Sequence, residues 1–101
     1  MRKIGGGVVV RAVELSPRAE RQLAAIEAYY LKETGPAVAG RAVASIIEAA
    51  ERLGALPVIY RQAARAGLRE YVMDQFPYIL LYRAYPRIIQ VAAIIHQRRD
   101  R

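Results

Sequence analysis

The chain of 101 residues contains no cysteine and only one histidine. Without thiols there is neither a disulfide framework nor a thiolate metal site, and one imidazole has no second histidine with which to hold an ion. No metal and no cofactor are therefore expected. No apolar run approaches the ~20 residues that a bilayer-crossing helix needs, and Met1-Arg2-Lys3-Ile4-Gly5-Gly6-Gly7 lacks the apolar stretch of a secretory signal. The expectation is a soluble, cytoplasmic protein with no membrane contact. Acidic residues are also scarce, nine against sixteen Lys and Arg, and the formal net charge is +7.

That charge is uneven. From Arg61 onward eight arginines face only Glu70, Asp74 and Asp100, whereas the first sixty residues carry +2. A basic field of this kind attracts phosphate backbones and acidic proteins alike, because long-range steering does not distinguish them. The length suits one domain. Residues 1–7, with their three glycines, read as a flexible leader, and 8–101 as the domain.

Val8 to Leu15 is a β-prone run, after which Ser16-Pro17 supplies a capping hydroxyl and a proline at the first helical position. Ala19, Leu23, Ile26 and Tyr30 recur at helical spacing and form one stripe. Gly35-Pro36 ends that helix and opens a second, whose stripe is Val43, Ile46, Ile47, Ala50 and Leu53, stopped by Gly54 and Pro57. The short connection makes the two an antiparallel hairpin. Residues 55–66 show no sustained period and are expected as a loop. Leu68–Met73, Tyr78–Tyr85 and Ile88–His96 are rich in aromatic and β-branched residues and read as three consecutive strands.

The order β-α-α-β-β-β predicts an α+β fold, with a two-helix hairpin packed on one face of a small, mostly antiparallel four-stranded sheet. Simple alternation places Tyr78, Leu80 and Tyr82 on one face of their strand, and Ile79, Leu81 and Arg83 on the other. In the last strand it opposes Ile89, Val91, Ala93 and Ile95 to Gln90, Ala92, Ile94 and His96. Both faces are partly apolar, so the face away from the helices calls for a covering segment or a protein partner.

Certain words in the sequence point further: Ser16-Pro17-Arg18-Ala19, Tyr29-Tyr30, Leu53 with Pro57, Gly67-Leu68-Arg69-Glu70, Pro77-Tyr78-Ile79, Leu81-Tyr82-Arg83, and His96 with Arg98-Arg99. In this order and spacing, from about Val10 to Arg99, the chain resembles the RelE/ParE toxin superfamily of bacterial toxin–antitoxin systems. The resemblance implies a toxin held silent by a cognate antitoxin that lays a partly disordered, acidic segment along it. Ile79 and Leu81 then become the antitoxin-facing sheet surface.

Within that superfamily the RelE-like branch cleaves mRNA on the ribosome, which needs a base, an acid and cations to stabilise a charged phosphorane. Where such enzymes commonly carry an arginine just after the tyrosine of the middle strand, this chain has Ile79, and no lysine accompanies Val72 and Met73. Arg98, with His96, is what remains of a catalytic pair if the chain is an endonuclease. The ParE-like branch shares the Pro-Tyr and terminal His-x-Arg-Arg words and is associated with poisoning DNA gyrase. That branch is the closer resemblance; a ribosome-dependent endonuclease and a non-toxic antitoxin-binding member are the alternatives. Arg69, Arg83, His96, Arg98 and Arg99 are the expected target- or partner-binding residues. Duller roles are open to each: His96 bonded to neighbouring backbone, Tyr78 and Tyr82 as core aromatics, and Arg98, Arg99 and Arg101 as a solvated tail.

Overall fold

The structure is a computed structural model that describes residues 2–4, 11–55 and 67–98. Its elements are β1 (Arg2–Ile4), β2 (Ala12–Leu15), α1 (Pro17–Thr34), α2 (Pro36–Ala55), β3 (Arg69–Val72), β4 (Tyr78–Ala84) and β5 (Ile88–His96). The anticipated β-α-α-β-β-β order runs from β2 to β5. Residues 5–7 of the expected leader, the start of the expected strand at 8–10, the expected loop at 56–66, Pro57, Arg99 and Arg101 lie outside the described residues.

The sheet order is β1-β2-β5-β4-β3, with β2 and β5 parallel and every other pair antiparallel. The fifth strand comes from within the segment read as a leader. Arg2–Ile4 pairs with Val13–Leu15 at the sheet margin, a position that tolerates short, basic strands.

The Ser16 hydroxyl accepts the Ala19 N–H at 3.0 Å, and Pro17 occupies the first turn, where its missing N–H costs nothing. Ala19, Leu23 and Ile26 are buried along α1, as their spacing requires. The helix stops at Gly35, whose φ of 94° favours a residue without a Cβ and whose N–H reaches Tyr30 O at 2.9 Å. On α2, Ile46, Ala50 and Leu53 enter the core, while Ala39, Ala42 and Ala49 are buried small residues that let the helices lie close. Between helices and sheet these residues pack with Val13, Leu15, Tyr78, Leu80, Tyr82, Ile89, Val91 and Ile94.

Strict alternation fails in β5. Leu81 pairs with Ala93 but Tyr82 pairs with Val91, so Ala92 is an extra residue, a β-bulge. Ile89, Val91 and Ile94 consequently face the helices, whereas Ala93 and Ile95 share the opposite face with Ile79 and Leu81. The expected grouping of Ala93 and Ile95 with Ile89 and Val91 is thus corrected by one inserted residue.

Two glycines of α2 differ in their surroundings. A Cβ at Gly54 would sit 2.6 Å from Arg11 O and 2.8 Å from Val13 Cγ2, whereas one at Gly40 would meet nothing within 4 Å. Gly40→Ala is expected to raise the urea midpoint, by about 0.5–1 kcal/mol of stability. Gly54→Ala should lower it by about 1–3 kcal/mol through overpacking; a rise at both positions would contradict this packing of α2 on β2.

Candidate functional site

Because β2 ends at Leu15, opposite Val91, the rest of β5 pairs with no strand on that side among the described residues. Ser16, the N-cap of α1, and Gln22 on the helix take its place. Ser16 N–H donates to Val91 O at 3.0 Å, Ser16 Oγ donates to Ala92 O at 2.8 Å, and Gln22 Oε1 accepts the Ile94 N–H at 2.7 Å. Buried backbone groups left by the bulge and the short β2 are thereby satisfied.

Past Gln22 the helix and the strand leave a groove of about 890 Å³, lined chiefly by Arg18, Gln22, Tyr29, Tyr30, Tyr78 and His96. Its aromatic rings touch edge to face: Tyr29 with Tyr30 at 5.1 Å, Tyr30 with Phe76 at 5.8 Å, and Tyr78 with His96 at 5.5 Å between centroids. Tyr29 is 58% exposed on the groove wall and Tyr78, at 7%, lies beneath. His96 Nδ1 accepts the Arg98 N–H at 3.1 Å, a bond made by an imidazole carrying its proton on Nε2.

Of the anticipated residues that are described, His96 and Arg98 meet, whereas Arg69 and Arg83 stand apart from them and from each other. His96 is level with Tyr78 at one end of β4, whereas Arg69 is level with Tyr82, about 14 Å along the sheet and two strands away. Arg69 shares the helix-side face with Tyr82, and Arg83, paired with Gln90, is on the opposite one. Arg98 is exposed just past β5. Tyr78 and Tyr82, at 7% and 1% exposure, are core aromatics. Ile79 and Leu81, expected to face the antitoxin, lie on the sheet face away from the helices; Ile79 is 5% exposed, flanked in the sheet by Val72 and Ile95, and Leu81 is half-buried.

Arg18, Gln22 and Tyr29 are the site residues that pattern reading passed over. An aromatic off the α1 stripe, at Tyr29, was the available signal. Among the described residues no cluster of three metal-ligating side chains occurs, and no helix is long and apolar enough to cross a membrane.

The chain matches, over residues 13–101, the family described as ParE toxin of type II toxin-antitoxin system, parDE. It is 33% identical over 88 residues to Toxin RelE3 of Caulobacter vibrioides, covering 86% of this chain and 95% of that protein. Among solved structures, a chain of the chromosomal ParDE TA system from P. aeruginosa shares the fold with a TM-score of 0.76 at 24% identity, covering 86% of this chain and 95% of that one.

Burial, then a hydrogen bond and charge interaction with Tyr30 and the charge of Tyr29, raise the Tyr78 hydroxyl above its ordinary pKa of 10.0. A folded pKa above the unfolded one means that this stabilisation is complete below pH 10 and is lost as pH rises beyond it. Urea midpoints should therefore fall more between pH 9 and pH 11 in the parent chain than in Tyr78→Phe. Equal falls would contradict the placement of this phenol.

Proposed function

The chain belongs to the ParE toxin family of type II toxin–antitoxin systems, and from that premise we propose that it acts as a ParE-like poison of DNA gyrase. A toxin of this class has a cognate antitoxin, and on this reading the antitoxin keeps the chain silent until it is degraded. The toxin binds its target and stalls it; it transforms no substrate itself.

The observation that carries the reading is the scatter of the cations. Cleaving RNA by attack of a 2′-hydroxyl requires a base, an acid and phosphorane-stabilising cations within hydrogen-bond reach of one phosphate. Arg69 and Arg83 lie on opposite faces of the sheet, far from His96, and Arg98 is exposed beyond the strand. Near the start of β4, just after Tyr78, where RelE-like enzymes commonly carry an arginine, Ile79 contributes only an apolar side chain. Arginines spread over two faces and one end suit contact with a large macromolecular surface, which they can approach from several directions.

In this account Arg69, Arg83, His96 and Arg98, with Arg99, belong to the target- or partner-binding surface. The toxin acts in the cytoplasm, where gyrase works, and has no membrane role.

Purified toxin is expected to inhibit supercoiling by gyrase while leaving mRNA intact in a translation reaction read by primer extension. Cuts in the ribosomal A site with normal supercoiling would establish the endonuclease reading instead. Replacing Arg98 and Arg99 together by alanine should relieve growth arrest. Unchanged growth on inducing the parent chain without its antitoxin would identify a member that only pairs with that partner.

A further inference from the structure

The hairpin of β4 and β5 carries charge of one sign. From Tyr78 to His96 the chain has Arg83 and Arg87 but no Asp or Glu. Neither guanidinium has a hydrogen bond or ion pair among the described residues. Glu14 and Glu70 share the sheet face of Arg83, the one away from the helices, but each stands on a flanking strand. Arg11 precedes Ala12, which pairs with Ile88, and so adds a third cation at this end of the sheet.

An aromatic ring stands beside these charges. Arg83 is paired with Gln90, and Gln90 lines a shallow hollow of about 550 Å³ together with Tyr85, Pro86, Arg87 and Ile88. Arg83 and Tyr85, two residues apart, therefore project from one face about 7 Å from each other. Tyr85 is 44% exposed although it is a large aromatic. Its N–H donates to Ile88 O at 2.8 Å and the Pro86 ring fixes the next φ, so the tip is held in place. No residue of the tip has a positive φ, which excludes the primed turns that two-residue hairpins favour. The tip thus gives up the residues best suited to turning and presents a ring and a guanidinium instead.

A phosphodiester strand matches this array. Its phosphates suit the forked donors of arginine, and an unstacked base offers its flat face to the Tyr85 ring above the apolar Ile88. A carboxylate would satisfy one arginine but leave ring and hollow unfilled. A duplex offers phosphates but keeps its bases stacked. We infer that the tip of the β4 and β5 hairpin is a docking site for single-stranded DNA, with phosphates on Arg83 and Arg87 and a base in the hollow against Tyr85. The single strand is called for by the ring and the hollow; DNA in place of RNA rests on the gyrase reading, because that target acts on DNA. On this account the toxin touches the nucleic acid as well as the enzyme that handles it.

The test uses the full chain and a fluorescein-labelled single-stranded DNA of about 15 nucleotides, read by anisotropy over a salt series. The parent is expected to bind this strand more tightly than its duplex and at least as tightly as RNA of the same sequence. Tyr85→Ala should weaken binding by about tenfold, and Tyr85→Phe, which keeps the ring, should not. Arg87→Gln should lower the salt slope by about one, whereas Arg41→Gln, exposed on α2, should leave it unchanged. No binding, a preference for duplex or RNA, or binding indifferent to Tyr85 and Arg87 overturns the proposal. So does a loss of gyrase inhibition in these variants with oligonucleotide binding intact, which would make the tip a protein contact. Supercoiling is measured on the same samples: tip-dependent binding without gyrase inhibition would refute the gyrase reading and leave the site standing, and inhibition without such binding would do the reverse.

Discussion

The hold of α1 on the margin of β5 is the constraint from which the site follows. A four-residue β2 cannot cover a nine-residue β5, and uncovered backbone beside a hydrophobic core is costly unless it finds partners. Ser16 and Gln22 provide them. Ser16 does so twice, since its one hydroxyl accepts from Ala19 and donates to Ala92, coupling the start of the helix to the bulge in the strand. The bulge in turn shifts the β5 pattern, so that Val91 and Ile94 both reach the core. Helix start, strand irregularity and core packing are thus parts of a single arrangement.

Beyond Gln22 no further side chain of α1 bonds to β5 backbone among the described residues, and the groove begins there. Its walls come from α1 and its floor from the ends of β4 and β5. Aromatic contacts link Tyr29, Tyr30 and Phe76 on one side and Tyr78 and His96 on the other. Rigid rings of this kind present contact area at small entropic cost, a property of binding surfaces. The arginines, by contrast, are distributed, as suits long-range attraction more than local chemistry.

Much of the fold was legible from residue type and spacing. Ser16-Pro17, the Ala19–Leu23–Ile26 stripe and Gly35 dictate α1 through capping, burial and a positive φ, and each acts locally. Tyr82 alternates into the core as its pattern says. The bulge at Ala92 was hidden because Ile88 to Ile95 is apolar in both alternation frames apart from Gln90, and hydrophobicity cannot register one added residue in such a run. Gln22 was hidden for another reason: a polar residue beside an apolar stripe looks solvated until tertiary contact supplies its partner, here 72 residues away. The groove joins Arg18 to His96 across most of the chain, a juxtaposition that no local word encodes. Arg69 and Arg83 lie on strands adjacent in sequence, yet the pleat sends them to opposite faces.

The measurement that bears most directly on this arrangement is amide exchange at Ile94 in the free chain, compared between the parent and Gln22→Leu. If Gln22 serves as the missing strand, the Ile94 amide exchanges slowly in the parent and about tenfold or more faster in the variant, while Ile95, paired across β4 with Ile79, does not change. Equal rates at Ile94 in the two proteins would contradict the account, because the edge of β5 would then be held by something other than α1.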